Sequence, residues 1–152
     1  MHAGFILAPP KTPEEWERYH AIRKQELFDA RGRDNYDSNR PEERQPGNFS
    51  LLFKAGDVGI GTARLDTRSS DMGVVRLVSI TRSEQSKGYG RILMETLEEF
   101  AREKGFSKLV LNSAQEAVGF YERLGYVRES WDPSELTGIS ANSVQMSKSL
   151  LT

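Results

Sequence analysis

The chain of 152 residues has no cysteine, which by counting alone excludes a thiolate nucleophile, a disulfide framework and a thiolate zinc site. Its only histidines, His2 and His20, are too few for a multi-histidine metal site and give no support to a Ser-His-Asp triad. Neither sign of charge is in excess: 21 Lys plus Arg stand against 22 Asp plus Glu, so no polycation is available to coat a nucleic-acid backbone. Long hydrophobic runs are missing as well. Phe5-Ile6-Leu7-Ala8 is too short for a signal-peptide core or a membrane span, and Pro9-Pro10 ends it. Metal, nucleic acid and membrane are therefore not expected as partners, and the expected location is cytoplasmic. What is present is 37% hydrophobic residues, with 7 Phe and 5 Tyr, enough to build a core. The length suits one domain over residues 1–152.

Thr12-Pro13-Glu14-Glu15 sets a capping hydroxyl before a proline at the first helical position, with a glutamate three residues after the cap. Trp16, Tyr19 and Ile22 recur at spacing three, and the pattern predicts a helix over residues 13–28. Residues 29–48 follow with nine charged residues and almost nothing apolar, a composition that reads as a mobile lid or acceptor-side wall or, equally, as a merely solvated loop. Strands are expected at 49–55 and 58–65, joined by the turn dipeptide Gly56-Asp57, and at 72–81. The second half predicts a helix over 90–104, a buried strand at 108–112, a helix over 116–124, and strands at 126–131 and 142–150. A right-handed crossover over 72–112 makes two of these strands parallel. The expected class is α+β, with a mixed, mainly antiparallel sheet of six to seven strands flanked by helices.

The stretch Gln85-Ser86-Lys87-Gly88-Tyr89-Gly90-Arg91 lies between a strand and the start of a helix. Glycines at 88 and 90 would let the backbone approach a ligand, and the free N–H groups of a first helical turn make an anion site with the helix dipole behind them. The natural anion is a phosphate, which Lys87 and Arg91 could flank. An ordinary glycine-containing turn reads the same way from these residues alone. A Rossmann loop is set aside because the third glycine of G-x-G-x-x-G is absent, and the P-loop pattern does not occur.

Gln85-Ser86-Lys87-Gly88-Tyr89-Gly90 resembles the [RQ]-x-x-G-x-[GA] signature of the GNAT superfamily of acetyl-CoA-dependent N-acetyltransferases. Ile80 stands five residues before it, where that family ends its splayed fourth strand. Downstream, Ala117-Val118-Gly119-Phe120-Tyr121-Glu122-Arg123-Leu124-Gly125-Tyr126 is similar to the family's second helix, A-x-x-F-Y-x-x-x-G-[FY]. The likeness is close from about residue 72 to 127 and looser upstream.

The resemblance implies a direct transfer of acetyl from acetyl-CoA to an amine, with no metal and no covalent enzyme intermediate. It places the cofactor's pantetheine arm along the strand containing Val78, Ser79 and Ile80, and its pyrophosphate on Gln85, Ser86, Lys87, Gly88, Tyr89, Gly90 and Arg91. It makes Tyr121 the general acid toward the departing thiolate. The asparagine the family often carries before its second motif is Ala114 here, so Asn112, or neither residue, supplies that contact. No glutamate occurs in the fourth strand to act as base. Glu26, Asp34 and Asp37 are weighed as carboxylates of the acceptor wall, beside the simpler reading that each is a solvated surface charge. The acceptor is a small molecule or a protein amino group, and a homodimer is left open. A non-catalytic acyl-CoA-binding module is the alternative, as is a domain holding a different phosphate ligand on the same glycines.

Overall fold

The computed structural model describes residues 2–151; Met1 and Thr152, the end points of the expected 1–152 domain, lie outside the described residues. One sheet contains β1 Phe5–Ala8, β2 Asn48–Ala55, β3 Val58–Thr67, β4 Met72–Ile80, β5 Lys108–Ser113, β6 Val127–Arg128 and β7 Val144–Ser149. The strand order is β1-β2-β3-β4-β5-β7-β6, and only β4 and β5 run parallel. This is the expected α+β class with a mixed, mainly antiparallel sheet. Its crossover contains α2, Tyr89–Glu103; the other helices are α1, Pro13–Arg23, and α3, Val118–Arg123.

Strand side chains alternate between faces, and the chain uses the two faces differently. On one, Leu93, Met94, Leu97 and Ala101 of α2 pack with Val118 of α3 against Phe53, Leu65, Val75, Leu109, Leu111 and Met146. That is the main core. On the other, Tyr19 and Ile22 of α1 close over Leu52, with Trp16 alongside. Beyond α1 this second face carries polar side chains, and the candidate site opens there.

Local signals explain the boundaries. Thr12 Oγ1 accepts the Glu15 N–H at 3.1 Å, so α1 starts at the expected cap. The β2–β3 turn sits on Gly56, whose φ of +58° suits a tight hairpin. The fold departs from expectation in four places. Phe5–Ala8, weighed only as too short to span a membrane, is an edge strand paired with β2, and Phe5 stacks on Phe53 at 5.6 Å. The helix expected over 13–28 is α-helical only to Arg23, then takes a π-helical turn at Lys24–Phe28. β6 is two residues long because the Gln145 side chain takes the Trp131 and Asp132 N–H groups at 3.0 and 2.9 Å and turns the chain away.

The fourth departure is the polar stretch 29–48, which is anchored. Short 3-10 turns form at Asp29–Arg31 and Pro41–Arg44, and the second buries Glu43 against the sheet. Glu43 accepts hydrogen bonds from Tyr19 at 2.8 Å, Ser50 at 2.7 Å and Arg64 at 3.1 Å, and it pairs with buried Arg23. Burial alone would raise this carboxyl; Arg23 together with the Ser50, Arg23 and Tyr19 hydrogen bonds outweighs it and brings the pKa to about 2.

Candidate active site

β4 and β5 are paired from Met72↔Lys108 to Val75↔Leu111 and no further. From Arg76 to Ile80, β4 keeps β3 as its only strand neighbour. The cause is local. Leu77 has a left-handed φ of +56°, and the β3–β4 register moves from Arg64↔Arg76 to Thr62↔Ser79, so Ala63 faces two residues of β4. Such a bulge bends and twists its strand, here away from β5, and a leucine held in this region is strained. Past the bulge the Thr81 N–H donates to the Ile60 carbonyl on β3 at 2.8 Å. Amide directions alternate along a strand, so the N–H groups of Ile80 and Val78 face the edge that β5 has left. Ser79 turns its hydroxyl to Thr62 at 2.8 Å, where it helps hold β4 on β3. The sheet therefore contains an open slot lined by unused backbone donors.

The slot leads to the start of α2. Ser86 has φ +65° and Gly88 φ +82°, and these two left-handed residues fold the backbone into the helix. The first turn of α2 has no side-chain cap and no acidic residue, so its free N–H groups and the positive end of the dipole point outward. A Cβ on Gly88 would meet nothing within 4 Å, so the residue is required by its dihedral and the space above it is open. Gly90 has a different reason. A Cβ there would lie 3.3 Å from Phe120 Cζ, so this glycine lets α3 pack on α2, contrary to the expectation of close approach to a ligand. Tyr89 packs its ring on Phe5 at 5.5 Å and offers the loop only its backbone. Lys87 and Arg91 are exposed and tied only to Glu84 at 3.1 Å and Glu95 at 3.3 Å, weak surface pairs that leave both cations available to an anion.

Gln85 Nε2 donates to the Ile80 carbonyl at 2.8 Å, fastening this loop to the end of β4. Glu26 supports it from below: its carboxylate accepts the Arg82 N–H at 3.0 Å and Gln85 Nε2 at 3.4 Å. Glu26 is brought there by the π-helical turn and is buried, so it shapes the loop and is not a free carboxylate of the acceptor wall. Asp34 and Asp37 remain exposed, and Asp37 closes a turn on the Asn39 N–H at 2.8 Å.

Tyr121 lies on α3, which follows β5, and packs against the main core. Its ring meets Phe120 and Tyr126 edge-on at 5.1 and 5.7 Å. Burial pushes its hydroxyl up to about 12, which keeps it protonated at neutral pH. Asn112 is placed otherwise. Its Nδ2 donates to Glu135 Oε1 at 3.1 Å and its Oδ1 accepts Gln145 Nε2 at 2.9 Å, which draws the side chain away from the phosphate loop.

On the same face lies a cleft of about 390 Å³ lined by Glu42, Arg64, Asp66, Arg68, Val74 and Arg76, among others. Its charges are cross-linked: Asp66 receives Arg64 Nε at 2.8 Å and Arg76 Nε at 3.0 Å, and Glu135 takes both Arg76 Nη groups at 2.9 Å. Neither the cleft nor Glu135 is legible in the sequence, because β3, β4 and the turn Pro133–Glu135 meet only in the folded chain. Among the described residues no group of three or more His, Asp or Glu is placed to hold a metal, and no helix is long and apolar enough to cross a membrane.

Known proteins share this fold. A Bacillus subtilis (strain 168) protein named as a candidate acetyltransferase is 34% identical over 76 residues, which make up 50% of this chain and 51% of that relative. The match thus spans about half the relative's length. A Lactobacillus plantarum structure named as a candidate N-acetyltransferase superposes with TM-score 0.79 at 23% identity over 97% of both chains. An aminoglycoside 6'-N-acetyltransferase complexed with coenzyme A gives 0.77 at 14% identity over 97% of this chain and 98% of that one. At these identities the structures share the fold. The family described as the acetyltransferase (GNAT) family matches residues 13–126, from the start of α1 to the end of the Tyr121 motif, and the chain belongs to it.

Proposed function

We propose that this chain is one catalytic domain that transfers acetyl from acetyl-CoA directly to an amine. The observation that carries the reading is the continuity of the unpaired β4 edge with the uncapped start of α2. An extended amide-bearing arm can hydrogen-bond the N–H groups of Val78 and Ile80 as a strand would, and a pyrophosphate can end on the backbone of residues 85–91 between Lys87 and Arg91. The solved relative holding coenzyme A has the same fold.

Chemistry follows from placement. The amine attacks the thioester carbonyl, and the negative charge that develops on its oxygen is met by a backbone N–H of β4. As the C–S bond breaks, the sulfur takes the electron pair and Tyr121 hydrogen-bonds it and supplies the proton; the amine proton leaves to water, and Tyr121 regains a proton from water to close the cycle. A free amine of pKa ~10.4 is scarce at pH 7, so alignment of the two reactants contributes much of the rate. The buried Tyr121 hydroxyl, at about 12, is a donor over the whole working range.

The test is thermal unfolding with acetyl-CoA, ATP and NADH, followed by thiol release with a panel of amines. Stabilisation by acetyl-CoA alone, at ~2.7 kcal/mol for a ligand at a hundred times its Kd, with amine-dependent thiol release, is expected. Binding without release from any amine would favour the non-catalytic acyl-CoA module, and no shift with acetyl-CoA would overturn the reading.

A further inference from the structure

Glu135 closes the slot at its inner end. Arg76 on β4 and Asn112 on β5 are the first residues past the last β4–β5 pair, Val75↔Leu111, and Glu135 holds both of them. Its Oε1 accepts Arg76 Nη1 at 2.9 Å and Asn112 Nδ2 at 3.1 Å, and its Oε2 accepts Arg76 Nη2 at 2.9 Å. The clasp is held rigidly from both sides: Asp66 takes Arg76 Nε at 3.0 Å, and Gln145 donates to Asn112 Oδ1 at 2.9 Å. Gln145 also donates to the Asp132 carbonyl at 2.7 Å, which fixes the turn from which Glu135 projects.

We infer that the Arg76–Glu135–Asn112 clasp sets the acyl-chain length, restricting the donor to short acyl groups; the inference rests on the slot being the acyl-CoA site. From Arg76 to the end of β4 at Ile80 is four residue steps, about 13 Å at ~3.3 Å per residue, and the loop 85–91 lies beyond, so an arm bound there by its pyrophosphate and running along this edge lays its thioester toward the clasp. An acetyl group ends before this ionic bridge. A longer chain must push its methylenes into charged, hydrogen-bonded groups, and desolvating those groups without replacing their partners is costly. Two residues inward on the same face stand Val74 and Val110, both buried and apolar. Opening the clasp would expose to the acyl chain an apolar lining that the native protein keeps covered.

The experiment measures Kd for acetyl-CoA, butyryl-CoA and octanoyl-CoA with the wild-type chain, Glu135→Ala and Glu135→Asp. Aspartate keeps the charge and is one methylene too short to bridge both strands, so it serves where alanine fails to fold. The wild type should bind acetyl-CoA at least tenfold more tightly than octanoyl-CoA, and either variant should reduce that ratio tenfold or more. A merely structural glutamate would weaken all three ligands together and leave the ratio unchanged, which overturns the inference. A wild type that binds octanoyl-CoA as well as acetyl-CoA overturns it too. Failure of the wild type to bind any of the three would instead overturn the placement of the acyl-CoA site.

Discussion

Val75 and Leu111 are the last residues at which β4 and β5 face each other, and the left-handed Leu77 two positions later carries β4 away. The bulge turns five residues of an interior strand into a free edge inside the sheet. Such an edge would invite pairing with another chain if it were long and flat. Here it is short and ends on the loop of a helix N-terminus, which is why an extended, phosphate-bearing ligand is its natural complement.

The two glycines of that loop should respond differently to substitution. Gly88→Val forces a β-branched residue to φ +82° in open space, so the loop must rearrange while the core is untouched. Acyl-CoA affinity should fall at least tenfold with the far-UV spectrum unchanged. Gly90→Val pushes α3 off α2 through Phe120 and should lower Tm as well. Equal stability of the two variants would contradict the packing role of Gly90.

Tyr121→Phe removes one hydroxyl and keeps the ring. Turnover should drop roughly one hundred to ten thousand fold, as for a lost general acid, nearer the lower end because a thiol of pKa ~8.5 leaves tolerably as an anion. Acetyl-CoA affinity, measured in parallel, should hold. In the wild type, kcat should show no loss attributable to this acid below about pH 11, since its pKa is pushed up to about 12. An unchanged kcat in the variant, with chemistry rate-limiting, would reduce Tyr121 to a packing residue.

Glu26→Ala strips the carboxylate from beneath Arg82 and Gln85. Loss of the two positioning hydrogen bonds, together ~1.4 kcal/mol because that to Gln85 is long at 3.4 Å, should weaken acyl-CoA binding about tenfold. An effect confined to KM for the amine would return Glu26 to the acceptor wall.

Glu43 predicts the acid limb of stability. Its folded pKa of about 2 lies below its ordinary value of 4.5, so between these pH values the unfolded chain binds more protons and stability rises with pH. The contribution is complete above about pH 5 and is lost as pH falls toward 2. Glu43→Gln leaves the buried Arg23 guanidinium without its carboxylate, whereas Arg64 keeps Asp66 at 2.8 Å, so it should cost about 3–5 kcal/mol at pH 7. It should also flatten the pH dependence of the urea midpoint between pH 5 and 2. A parallel pH profile in the variant would mean that other carboxylates carry the acid transition.

Much of this protein is written locally. The Thr12 cap, the Gly56-Asp57 hairpin, the apolar stripe of α2 and the glycine that starts it depend on residues a few positions apart, so their pattern can be read without the fold. The loop 85–91 and the Phe120-Tyr121 helix were legible for the same reason, and their order along the chain placed the protein in its family.

What the tertiary structure alone decided is where buried charge and backbone strain reside. Glu26, Glu43 and Glu135 are ordinary acidic residues in polar sequence, yet each is drawn out of bulk solvent by partners from 7 to 59 positions away. The left-handed Leu77 sits in an apolar run that reads as an unbroken strand. Periodicity reports which side chains can share a face; it does not report which unlike charges will meet across a sheet, or where a ladder must open to relieve a mismatch in register. Those outcomes depend on long-range pairing, and they are what turn a loop and a helix into a slot with a floor, a wall and an end.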